Sequence, residues 1–377
     1  MPCDAGELVA AIALANAAGG GDLKLASKCT YTLAAVVDRG DEKISDRSGL
    51  PVIYQPISIV GEGATIVRDA KSEEFRFFTV RDGGELKLSD LTLSNGRAAD
   101  GGSIRIDHGG TAVVERTTIT ESAALAPEGG GGGIFNDGHL TLVEGTFRDN
   151  NAAGWAGRGG GLLNGGVLTV KWTEFTNNRA GGFGGGFANY QGAADISEST
   201  FVHNAAGEGG GIASYAARTK VWQTRVTANT ARVGGGVANK DATITLRDLT
   251  IDHNTSDVAG GGISTVQGLL TVDDSTVVEN STAGDGGGIS AERSTVLVRH
   301  SESSRNKALG PESKGGGVSV AGGQVSLFRS KVTENSAAEK PGGVFAKDVA
   351  VKVDDQTVIS GNQPCGNARQ EVGTCLG

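Results

Sequence analysis

Asp248, Asp274 and His300 follow one another at intervals of 26 residues. Carboxylates and imidazoles are the side chains that most often take and give protons in catalysis. An equal interval means an equal place in successive repeats. If each repeat is one turn of a coil, the three side chains stand in a row about 5 Å apart. Two carboxylates at that distance can work as an acid/base pair on a glycosidic bond, with the imidazole next in line. The full column reads Glu144, Trp172, Glu198, Gln223, Asp248, Asp274, His300, Arg329. Arg247 and Arg299 come one position earlier and face solvent, where they would hold an anionic or polar substrate. The plainer reading is that Asp before Ser or Thr, as in "DDST", caps a bend.

A second column reads Asp149, Asn177, His203, Ala228, His253, Glu279, Arg305, Glu334. His203 and His253 flank Ala228 as a notch with imidazoles about 10 Å apart, too far to share a metal ion. They are candidates for acid/base work or simply polar corners. Trp172, Trp222, Tyr190 and Tyr215 are candidate platforms for sugar rings. There is no Ser-His-Asp order, zinc motif, P-loop or calcium-binding nonapeptide repeat, so neither metal nor cofactor is expected.

Such columns need a scaffold of fixed period, and the sequence supplies one. Asn150, Asn178, Asn204, Asn229, Asn254, Asn280, Asn306 and Asn335 recur at steps of 25 to 29 residues. Glycine triplets keep step with them, from Gly131–Gly133 to Gly315–Gly317. Self-similarity at a fixed period marks a stacked-repeat architecture. Each unit holds three short runs that alternate apolar and polar, as in "GGIAS", "TKVWQ" and "RVTAN". With no hairpin signal between them, they must wind. The expected fold is all-β, a right-handed parallel β-helix of about eleven to twelve coils. Glycine turns one corner. The asparagines turn another and form a ladder of stacked amides. Phe147, Phe175, Phe201, Val226, Ile251, Val277 and Val332, three residues before each Asn, point inward. Glycine triplets followed by strands are not phosphate cradles, which require a helix there.

Residues 1–35 read as an N-terminal cap, with one helical stretch, "AGELVAAIALANAA", laid over the open edge. Residues 36–54 read as a polar loop, 55–362 as the repeats and 363–377 as a C-terminal cap. Cys3, Cys29, Cys365 and Cys375 are confined to the two ends. Of the three possible pairings this favours Cys3–Cys29 and Cys365–Cys375, and with them an oxidising compartment. Four unpaired thiols are the alternative.

The chain has 377 residues, 62 of them Gly, and a net charge of −9. An acidic chain is a poor match for nucleic acid or an anionic membrane, and no apolar run is long enough to span a bilayer. No signal peptide precedes Met1. With the cysteines, this leads to the expectation of a secreted or surface protein whose signal has been removed.

The boxes Gly131-Gly132-Gly133-Ile134 with Phe147–Asn150, Phe175–Asn178 and Phe201–Asn204 resemble the GG-G-[IVL] and F-x-x-N repeats of the chlamydial polymorphic outer membrane proteins. The wider resemblance, over roughly 55–362, is to secreted bacterial parallel β-helix proteins. The chlamydial family implies an autotransported adhesin, although its outer-membrane barrel has no counterpart here. The expected function is therefore a secreted or surface binding module that takes a polysaccharide or cell-surface ligand on a lateral face. The alternative is a carbohydrate-active enzyme, a lyase or glycoside hydrolase, built on the Asp248–Asp274–His300 row. A third reading is an intracellular biosynthetic enzyme on the same scaffold.

Overall fold

A computed structural model describes residues 1–39 and 47–364. They divide into two compact units, Met1–Asp195 and Ile196–Gly377. Each is a parallel β-solenoid, and the chain makes about 12 coils in all. Cys365 and Cys375 lie outside the described residues.

The first unit opens with helix α1, Ala5–Ala18. Asp4 caps it by accepting from the Glu7 N–H at 3.0 Å, and Gly19, at φ 86°, ends it. Leu8, Ile12 and Ala15 share the buried face. Cys3 is bonded to Cys29, which closes a loop worth about 3 kcal/mol in the chain-entropy model. The strands Gly21–Lys24 and Thr30–Leu33 pair in parallel with Pro56–Arg68. The first coil therefore forms ahead of residue 55, beneath the helix.

In the second unit a representative coil is Val237–Lys240, Thr243–Arg247, Thr250–Asp252 and Thr255–Ala259. Each strand lies in parallel register on the next coil, at Ile263–Val266, Leu269–Asp273, Thr276–Val278 and Ser281–Thr282. A coil thus has four strands where the sequence displays three. The fourth follows the Asn and is only two to five residues long, too short for alternation to show. Along Leu269–Asp273 the burial alternates, with Leu270 and Val272 fully inside.

The corners explain the composition. The first glycine of each triplet turns in the left-handed region; a Cβ on Gly260 (φ 65°) would sit 2.4 Å from the Ile263 carbonyl oxygen. The central glycine answers a different need, since a Cβ on Gly261 would meet the Gly287 oxygen of the next coil at 2.5 Å. Other corners also turn left-handed without glycine. Two of them are the columns singled out above, at φ 48–58° for Glu144 to Arg329 and 53–58° for Asp149 to Glu334, and a third runs through Gln191, Ala216, Asp241, Gln267 and Arg293 at 47–63°. Left-handed backbone costs a residue with a Cβ about 1–2 kcal/mol. Fixed neighbours above and below hold these side chains in it.

The buried asparagines close the turn that follows. In the second unit each Oδ1 accepts the N–H and the Nδ2 of the preceding Asn, through Asn204, Asn229, Asn254, Asn280, Asn306, Asn335 and Asn362, at 2.9–3.1 Å. Each Nδ2 also reaches a carbonyl of the coil before, as Asn254 does to Val226 at 2.9 Å. In the first unit a second ladder, Asn136–Asn164–Asn189, runs at another corner at 2.7 and 2.9 Å. Its top Oδ1, on Asn136, is buried without a hydrogen bond. The preceding coil carries Ile106 in that register and has nothing to donate. Inside the first unit the Phe147 and Phe175 rings stack at 4.8 Å.

Candidate active site

The strand Leu269–Asp273 ends where the left-handed corner at Asp274 begins. That boundary sends two adjacent carboxylates in different directions. Asp273 keeps strand register, with Arg247 on the coil before and Arg299 on the coil after. Its side chain is only 15% exposed, and its Oδ2 accepts from the Arg299 guanidinium at 2.9 Å. Asp274 points outward and is 47% exposed, with the Arg247 Nε 3.6 Å from its Oδ2. His300, one coil on, brings its Nδ1 to 3.5 Å from Asp273 Oδ1 and 3.8 Å from Asp274 Oδ1.

Asp273 Oδ1 is the unusual atom of this group. It is shielded from solvent and has no hydrogen bond. The His300 Nδ1 stands a few tenths of an ångström beyond the usual limit of about 3.2 Å for N–H···O bonds. A carboxylate facing Nδ1 favours a proton there, which leaves the lone pair on Nε2.

The predicted row is thus assembled in part. Asp274, His300, Arg247 and Arg299 come together. Asp248 stands one coil earlier, its N–H donating to the Asp273 carbonyl at 3.0 Å, but its exposed carboxylate makes no hydrogen bond or ion pair among the described residues. Asp273, in strand register, is the second carboxylate. The bends here are held by hydroxyls. Ser275 Oγ donates to the Asp273 carbonyl at 2.7 Å and accepts the Leu249 N–H at 3.0 Å. Ser301 repeats the arrangement on the next coil. The carboxylate of Asp274 therefore has no capping duty.

The second column assembles differently. His203 is exposed and apart from His253. His253 is held on both nitrogens, by Asp252 at 2.9 Å and by Glu279 at 2.8 Å. An imidazole so engaged has no lone pair to offer a substrate. Of the aromatic candidates, Trp172 (51% exposed) and Tyr190 belong to the first unit. The Arg158 guanidinium lies 4.3 Å over the Tyr190 ring. In the second unit, Lys240 sits 5.5 Å over Tyr215. Trp222 is in direct register with Arg247.

Among the described residues, Asp273, Asp274 and His300 have donor atoms within 4.8 Å of one another, close enough to share a cation. The two guanidinium groups beside them oppose one and favour an anion.

These features define a parallel β-solenoid with a cluster of Asp, His and Arg side chains at one corner of its second unit. No protein-family model and no curated protein matches the sequence, so the chlamydial resemblance gains no family match. Among solved structures the chain is similar to the A-module of the Azotobacter vinelandii mannuronan C-5 epimerase AlgE4. The identity is 15% over 99% of this chain and 96% of that one, with a TM-score of 0.48. It is also similar to the A-module of the AlgE6 epimerase from the same organism, at 16% identity over 96% of each chain, with a TM-score of 0.39. At such values neither assigns a residue or a substrate to this chain.

Proposed function

We propose that this protein is a carbohydrate-active enzyme that removes a proton from the carbon next to a substrate carboxylate, with His300 as the base. The observation that carries the reading is the enclosed Asp273 Oδ1 facing the His300 Nδ1. A carboxylate fixed by Arg299 orients the imidazole, and Nε2 meets the substrate. Arg247, and the part of Arg299 left exposed, would neutralise the substrate carboxylate as charge develops there. Asp274 is a positioning residue that aligns Arg247.

In a β-elimination the C–H bond breaks and its proton passes to His300 Nε2. The electron pair forms a double bond to the carbon bearing the glycosidic oxygen. That carbon–oxygen bond breaks, and the leaving oxygen takes a proton from the imidazolium or from water. Glycoside hydrolysis fits less well, because it requires two carboxyl groups that reach the sugar. Asp273 is enclosed, so the exposed Asp274 would have to pair with Asp248, and the contact between Asp273 and His300 would have no part in that reaction. The Cys3–Cys29 bond favours an oxidising compartment and thus an extracellular substrate. No helix among the described residues is long and apolar enough to cross a membrane.

The test is turnover of polygalacturonate, polymannuronate and a neutral glucan, read by the ultraviolet absorbance of unsaturated ends. His300→Asn is the informative variant, because Asn accepts the left-handed backbone at this corner and removes the base. Activity on a polyuronate should fall at least about 100-fold with the melting temperature unchanged. Full activity in His300→Asn, or no turnover of any polyuronate by the parent protein, would refute the proposal.

A further inference from the structure

Five outward side chains of the second unit stand in one column of Cα register: Trp222, Arg247, Asp273, Arg299 and Phe328. The order is aromatic, cation, acid, cation, aromatic, one residue per coil. Trp222 is 38% exposed and Phe328 37%. Both are the last residues of their strands, Arg218–Trp222 and Val318–Phe328, so the pleat sends them to the same face as the charges between them. Coils repeat at about 4.8 Å, so the column is roughly 19 Å long, and the two arginines stand about 10 Å apart.

We infer that this column is a binding track for an extended, negatively charged oligosaccharide lying along the solenoid axis. Trp222 and Phe328 are its two end platforms, and the reacting unit sits between them at Asp273 and His300. The inference rests on the proposed function for its choice of a uronate chain. Three features of the column support it. Its length suits several linked sugars rather than one. Two cations separated by an acid select a ligand whose negative charges are spaced rather than clustered. Aromatic side chains close the charged row at both of its ends, and flat rings are what the apolar faces of sugars stack upon. A site occupied in its middle by a long chain cuts or modifies that chain internally, so the reaction class is endo-acting.

Calorimetry would test the track with size-graded oligogalacturonates and oligomannuronates, in the His300→Asn background so that nothing turns over, and with cello-oligosaccharides as the neutral control. Affinity for the uronates should climb with length and then level off, and the neutral series should bind more weakly at every length. Trp222→Ala and Phe328→Ala should each weaken the longest uronate about 10-fold, equivalent to about 1.4 kcal/mol, and leave the shortest unchanged. Phe328→Tyr should bind like the parent, which separates lost stacking from lost folding. Length-independent affinity, or alanine variants that bind as the parent does, would overturn the track. The two ideas fail separately. A length-dependent track in a protein that yields no unsaturated product would refute the elimination only. Elimination without length dependence would refute the track only.

Discussion

Asp252 and Arg225 lock together across one coil boundary, with the two guanidinium nitrogens 2.8 and 3.3 Å from the two carboxylate oxygens. The pairing continues along the face. His253 joins Asp252 to Glu279, and Glu279 accepts from Arg305 at 2.9 Å. What the sequence presents as a histidine notch is a row of alternating charges that ties successive coils.

Asp252→Asn should therefore destabilise the protein without touching turnover. Asp252 is almost wholly buried, whereas Arg225 is more than half exposed, so the loss should be about 1–3 kcal/mol. Urea unfolding, with activity measured on the same samples, checks both halves.

The same carboxylate predicts a pH effect. Burial pushes the Asp252 carboxyl up, but the hydrogen bonds from Arg225, His253 and Thr227 outweigh it and hold the folded value below the ordinary 3.8. A carboxylate depressed in the folded state contributes stability that is complete above its unfolded value and lost as pH falls through the folded one. Thermal melts should thus show a loss below about pH 4, and Asp252→Asn should flatten it.

Asp274→Gly separates stability from activity. Glycine is at ease at φ 48°, where Asp274 stands, which offsets the greater freedom it gives the unfolded chain. Stability should stay within about 1 kcal/mol of the parent, while kcat/KM on a polyuronate should fall about 10-fold, equivalent to about 1.4 kcal/mol. A melting curve and a rate on one preparation suffice, and an unchanged rate would remove Asp274 from the site.

Asn254→Ala should be among the costly single changes in the second unit. It strips the Asn229 N–H and Nδ2 of their acceptor and the Val226 carbonyl of a donor. Orphaned buried groups of this kind cost about 1–3 kcal/mol. Denaturant midpoints at a constant slope would measure it.

The scaffold was readable because its signals are periodic. The asparagine spacing, the glycine triplets and the inward Phe147, Phe175 and Phe201 are all found by counting. The second ladder was not, because its column mixes Asn with Ser and Thr in the second unit, where Ser214, Asn239 and Thr265 follow one another in register. The site was half legible. Asp274 and His300 lie in a column that can be counted, but Asp273 can be told from Asp274 only by knowing where the strand stops and the left-handed corner begins. One residue of difference decides which carboxylate enters the Arg247–Arg299 register. Phe328 was overlooked for the same reason, since its neighbours in register are not aromatic until Trp222, four coils away.

The asparagine ladder has a direction. Each backbone N–H points to the amide oxygen of the coil that comes later in the chain, and each amide oxygen serves the coil that came before. Cutting coils from the C-terminal side therefore leaves a buried N–H with no acceptor. Cutting from the N-terminal side leaves chiefly an under-used oxygen, which is the smaller penalty. Shortened proteins should tolerate losses at the two ends unequally. A chain that emerges N-terminus first builds its solenoid so that every coil is sealed by its successor, and the last coil always depends on whatever closes it.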